Sequence, residues 1–140
     1  MSAVAYLADT SAAARLLISD KFDEQWGPAL GSGLIALCDL TELEILYSAR
    51  SGADRLAKQE RLHQVFNWAP IPEGAFRRAR EVQEVLTEHG EHRSAGPVDL
   101  IVAAVAELSG LTLLHYEADF ETVARRTELR TRWLAEPGTA

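Results

Sequence analysis

The apolar positions of this chain fall into short, nearly unbroken runs, separated by longer segments in which they recur every three or four residues. The runs at 4–8, 34–37 and 111–115 are mainly apolar over their whole length and read as buried strands. Helical spacing occupies the segments between them. It covers 11–18 (Ala12, Leu16, Leu17), 40–49, 53–66 (Leu56, Leu62, Val65, Phe66), 73–88, 98–109 and 119–126. Asp9-Thr10-Ser11 offers capping oxygens to the first of these helices, and Asp39 to the second. Gly52 is read as the end of the second helix, Pro72 as the start of the helix over 73–88, and Gly90 and Gly110 as later stops. Gly27-Pro28 and Gly31-Ser32-Gly33 punctuate the stretch before the second strand. Residues 68–72 read as a minimal strand or an extended link, and 132–135 as a last strand. Strands alternate with helices and no hairpin signal intervenes, which predicts an α/β fold with a largely parallel sheet. Right-handed crossovers then bring the C-terminal end of every strand to one edge.

A length of 140 residues at 15.4 kDa fits one domain, assigned to 1–136, with a tail at 137–140 expected to fray. The 47% hydrophobic and 25% charged composition excludes bulk disorder. The single cysteine, Cys38, excludes a disulfide-stapled scaffold. No apolar run approaches the roughly 18 residues of a membrane span, and Met1-Ser2-Ala3-Val4 lacks the basic start of a signal peptide, so the expected compartment is the cytoplasm. Fourteen basic against 21 acidic residues give a net charge of −7. That argues against coating nucleic acid by bulk attraction, but leaves open an RNA enzyme whose site is an acidic cluster filled by metal. Twelve of the 14 basic residues are Arg, a bias that suits bidentate contacts with phosphate or carboxylate and that a GC-rich genome also produces.

In an open parallel sheet, ligands bind outside the carboxyl ends of the strands, and acids collect there. Asp9 ends the first strand. Glu42 lies in the first turn of the helix after the second, Asp99 opens the apolar helix 98–109, and Glu117 and Asp119 follow the third strand. Taken singly, Asp9 reads as a helix cap and Glu42 as a complement to a helix dipole. Taken together they carry more information. Two unit charges about 4 Å apart repel by roughly 4 kcal/mol at an effective dielectric of about 20, so converging carboxylates need a cation or must hold protons. Oxygen donors without neighbouring Cys or His point to Mg²⁺ or Mn²⁺ rather than zinc. His63, His89 and His92 read as surface residues, and His115, at a strand end near the acids, is a candidate to assist chemistry. Trp26, Trp68 and Trp133 read as core, and Arg77, Arg78 and Arg80 as one solvated helix face.

Tyr6-Leu7-Ala8-Asp9-Thr10-Ser11-Ala12 resembles the opening motif of PIN-domain ribonucleases, and Thr41-Glu42-Leu43 their second acidic motif. The stretch 98–106, with Asp99 opening a small apolar helix, is similar to the third, and 113–121 resembles the closing strand with its D-x-D-F segment. The subgroup most resembled is VapC, the toxin half of bacterial toxin–antitoxin pairs. The resemblance implies a PIN-like three-layer fold and an Mg²⁺- or Mn²⁺-dependent endoribonuclease. It implies metal ligation by Asp9, Glu42, Asp99 and Glu117, with Asp119 a rival to Glu117, where Asp is usual. It also implies an RNA substrate, a cognate antitoxin, and a homodimer or toxin–antitoxin hetero-oligomer. Thr10 and Ser11 match hydroxyl positions near the metal, and capping explains them equally. A receiver domain would need a pair of acids at the first strand end, and a haloacid-dehalogenase-like phosphatase a second Asp where Ser11 stands. A PIN-like module that binds RNA or a partner without cutting is the remaining alternative.

Overall fold

Alternation along three short strands sorts the interior into two layers. The computed structural model describes residues 3–140. Strands β1 (Tyr6–Ala8), β2 (Ile35–Leu37), β3 (Asn67–Trp68), β4 (Thr112–His115) and β5 (Thr131–Trp133) form one parallel sheet in the order β3-β2-β1-β4-β5. Successive side chains point to opposite faces. Leu7, Ala36 and Leu113 therefore pack with α5 (Ala75–Glu88), α6 (Pro97–Ser109) and α7 (Asp119–Arg125). Ala8, Ile35, Leu37 and Leu114 pack on the other face with α1 (Thr10–Ile18), α2 (Asp23–Gly31), α3 (Asp39–Tyr47) and α4 (Gly52–Val65). The result is the expected three-layer α/β arrangement. Among the described residues, no helix is long and apolar enough to cross a membrane.

Several boundaries depart from the sequence reading for local reasons. Gly27, Pro28 and Gly31 do not break the chain but lie within α2, which is anchored by Trp26. That ring is buried in the core, and its Nε1–H donates to the Leu134 carbonyl at 2.9 Å. Gly52 does not end α3; it begins α4, whose N-cap is Ser51, with Oγ accepting the Asp54 N–H at 3.1 Å. Asp39 is no cap either. It is the first residue of α3, and its Oδ1 accepts the Trp68 indole N–H at 2.9 Å, pinning the edge strand β3. The helix read from Glu73 starts at Ala75, one turn after Pro72, whose carbonyl accepts the Ala75 N–H at 3.0 Å. Gly110 stops α6 with φ +69°, a left-handed conformation that glycine adopts without strain. In the tail, Thr139 donates its N–H and Oγ–H to the Glu136 carbonyl, and the Ala140 N–H donates to the Tyr116 hydroxyl at 2.9 Å.

The order of the sheet fixes where a site can form. The chain runs outward from β1 through β2 to β3, then crosses to the other side of β1 for β4 and β5. The direction therefore reverses between β1 and β4, and a crevice opens beyond their C-terminal ends. Asp9 leaves β1 there, with its N–H bonded to the Leu114 carbonyl of β4 at 3.0 Å.

Candidate active site

Asp9 is held at that crevice by the helix it starts. Its Oδ1 accepts the Ala12 N–H at 2.9 Å, a side-chain cap on α1. Ser11 Oγ lies 2.7 and 2.8 Å from the two carboxyl oxygens of Asp9 and also accepts the Tyr116 N–H at 2.8 Å. One hydroxyl thus ties the end of β1 to the loop after β4. Only 4% of Asp9 is exposed. Burial lifts its carboxyl to about 6, against the hydrogen bonds from Ala12 and Ser11, and Asp99 adds a smaller push.

Asp99 comes from the first turn of α6. Burial again raises the carboxyl to about 6, followed by the charges of Glu44, Glu117 and Asp119. The backbone of Gly96, the N-cap, favours its charged form slightly. The acids at the C-terminal edge thus bear on Asp99 of α6: Asp9 just after β1, Glu44 on α3, and Glu117 and Asp119 after β4. Among the described residues, no three carboxylate, imidazole or thiol groups close to metal-ligating spacing. The donor set itself is all oxygen and suits a hard divalent cation.

Glu42 faces elsewhere. Its Oε2 lies 2.8 Å from His63 Nε2 on α4, and the His63 ring stacks on Trp68 with centroids 4.2 Å apart. Glu44, two residues on, accepts the Thr10 hydroxyl at 2.6 Å and is the acid of α3 that bears on Asp99. The sequence reading did not single out Glu44. Helical spacing held the signal: Glu42 and Glu44 stand about 200° apart around α3, so only one of them can look into the crevice.

His115 is fully buried at the end of β4. The Glu117 N–H donates to its Nδ1 at 3.1 Å, so the proton sits on Nε2, which donates to Glu121 Oε1 at 2.9 Å. Burial lowers its pKa, and Phe120 and Trp133 flank the ring. Both nitrogens are engaged, so His115 positions the Glu117 backbone rather than moving protons.

Comparison with known proteins agrees with this architecture. The PIN domain family matches residues 6–126. Ribonuclease VapC21 of Mycobacterium tuberculosis (strain ATCC 25618 / H37Rv) is 39% identical over 135 residues, covering 96% of this chain and 97% of that protein. Ribonuclease VapC18 of the same strain is 41% identical over 119 residues, covering 82% and 85%. The fold also superposes on that of the DNA-bound VapBC from Salmonella typhimurium with a TM-score of 0.77, at 19% identity over 95% of this chain and 100% of that one. The chain belongs to the PIN-domain family, among the VapC ribonucleases.

Proposed function

We propose that this chain is a divalent-metal-dependent endoribonuclease and the toxin of a toxin–antitoxin pair. The observation that carries the reading is the pair of carboxyls raised to about 6, Asp9 and Asp99, set with Glu44, Glu117 and Asp119 at the strand-end crevice. Such a set holds surplus negative charge that a cation relieves. Asp9, Glu44 and Asp99 would hold the ion, with Glu117 or Asp119 completing the set, and Mg²⁺ or Mn²⁺ fits the oxygen donors. When bound, the ion supplies a water acidic enough to attack a phosphodiester and charge to offset the developing anion. The protein's own part is positional. Ser11 fixes both oxygens of Asp9, Thr10 orients Glu44, and His115 holds the loop that carries Glu117. No side chain is needed as nucleophile. Glu42, bound to His63, stands outside this set.

The antitoxin docks along an open apolar groove between α1, α3 and α4. Ala14, Leu17, Ile18 and Ile45 line it, and Thr10 and Glu44 stand at its site end. A helix laid there brings a basic side chain to the acids, which replaces the cation electrostatically and blocks the phosphate position. The test is to incubate the purified chain with total RNA, with and without Mg²⁺, and map new ends. Metal-dependent cleavage that the product of an adjacent reading frame suppresses supports the reading. Binding without cleavage, with metal present, replaces it with the non-cutting module.

A further inference from the structure

A cationic side chain stands one turn along α1 from the residue that anchors Asp9. We propose that Arg15 is a phosphate-binding residue that grips a phosphodiester oxygen of the RNA strand lying over the acids; this rests on the ribonuclease reading. Arg15 is on the same face of α1 as Ser11, one turn on. Its Nη1–H donates to the Ser11 carbonyl at 2.9 Å, and its guanidinium lies 4.4 Å from the centroid of the Tyr116 ring. Ser11 and Tyr116 are the two residues that tie Asp9 to the loop carrying Glu117. The cation is therefore fixed through the same hub as the acids.

Its bonding leaves it free for a ligand. Arg78, Arg125 and Arg126 are in ion pairs with glutamates, whereas no carboxylate within the described residues pairs with Arg15. One of its five N–H donors is used by Ser11, and a face is occupied by Tyr116, so an edge of the fork remains to meet a phosphate. Carbonyl and ring together hold an otherwise mobile side chain in place before the strand arrives. In a chain of net charge −7 whose site is acidic, a fixed cation at the rim gives the strand an attractive contact that does not depend on metal. Arg15 also lies in the last turn of α1, where a cation complements the helix dipole. The test separates the two roles.

A short labelled oligoribonucleotide is titrated with Arg15→Gln, Arg15→Lys, and Arg77→Gln as an equal change of charge at an exposed position of α5. Binding is read by anisotropy in an Asp99→Asn background that blocks cleavage, and kcat and KM in the native background. The expected result for Arg15→Gln is about a tenfold rise in Kd and KM, with kcat within about twofold of wild type. The slope of log affinity against log salt should fall by roughly 0.7, one phosphate contact on a single strand. Arg15→Lys should keep that slope while recovering part of the affinity, and Arg77→Gln should change neither. An unchanged salt slope in Arg15→Gln, whether or not its Tm falls, overturns the proposal and leaves Arg15 a helix-end cation. An equal effect of Arg77→Gln overturns it in favour of bulk charge. A wild-type chain that neither binds nor cuts RNA removes the ribonuclease reading itself, whereas a chain that cuts but loses no salt slope in Arg15→Gln removes this inference alone.

Discussion

Asp9 and Asp99 hold their carboxyls at about 6 in the fold, against 3.8 in the unfolded chain. A raised acid binds more protons folded than unfolded. Its contribution to stability is therefore full below about pH 4 and is lost as pH climbs through about 6. The metal-free protein should lose Tm across that window, and Mg²⁺ or Mn²⁺ should restore it near neutrality by binding only the folded state. Asp9→Asn keeps a competent N-cap while deleting the charge, so at about pH 7 without metal its Tm should exceed wild type by roughly 2–5 °C, with RNA cleavage abolished. Thermal melts across pH, with and without EDTA, check both statements; a Tm that rises with pH in the metal-free wild type would contradict them. At the same scale, Glu44→Gln should lower cleavage by an order of magnitude or more. Glu42→Gln should leave it within about twofold, because it removes only a bond to the half-exposed His63. Of the acids, Asp9 and Asp99 were legible because a strand end and the start of an apolar helix mark them. Glu42 and Glu44 were not separable by composition, since both lie in one helix and only its rotation about its axis distinguishes them.

At the scale of elements, strands β1, β2 and β4 and helices α1, α5 and α6 follow from apolar runs and 3.6-residue spacing, because each buries one clear face. What the sequence hid were elements whose local chemistry tertiary contacts override. Helix α2 carries two glycines and a proline, and the buried Trp26 holds it in place. Gly52 marks a helix start rather than a stop, because Ser51 supplies the cap. Asp39 stands where a cap is expected and instead serves the neighbouring strand through Trp68. Such long-range partners leave no trace in spacing. His115 is the same kind of case, and its two bonds can be cut one at a time. An Asn side chain places its oxygen near the Nδ1 position, and a Gln side chain its nitrogen near Nε2. His115→Asn should keep the grip on the Glu117 N–H and lose that on Glu121, and His115→Gln the reverse. Each should cost about 1–3 kcal/mol in denaturant unfolding. Cleavage per folded molecule should fall further in His115→Gln, because the proposed acid set draws on the loop that carries Glu117 and not on Glu121. Equal losses of activity would make His115 a packing residue only.

Over the whole molecule, the distribution of exposed apolar side chains separates cutting from control. The acids gather toward the crevice at the β1–β4 reversal, while the most exposed large apolar side chains of the described residues, Tyr47 at 91% and Ile18 at 85%, are on α3 and α1, with Phe76 and Leu108 less exposed on the other layer. Ile18 lines the groove assigned to the antitoxin. Because it is already in water, replacing it costs the free chain little. Burying it under a partner helix is worth about 1.5–3 kcal/mol, more than tenfold in affinity. Ile18→Asn changes no charge, so it leaves electrostatic steering between this acidic chain and a basic partner in place. The expected outcome is an Ile18→Asn protein with wild-type Tm and wild-type cleavage of RNA that escapes inhibition, with dissociation from the antitoxin faster by at least tenfold and association little changed. Co-purification, inhibition titrations and surface-binding kinetics read these separately. Loss of cleavage together with loss of inhibition would mean that the groove serves RNA as well, and unaltered inhibition would move the antitoxin to another face.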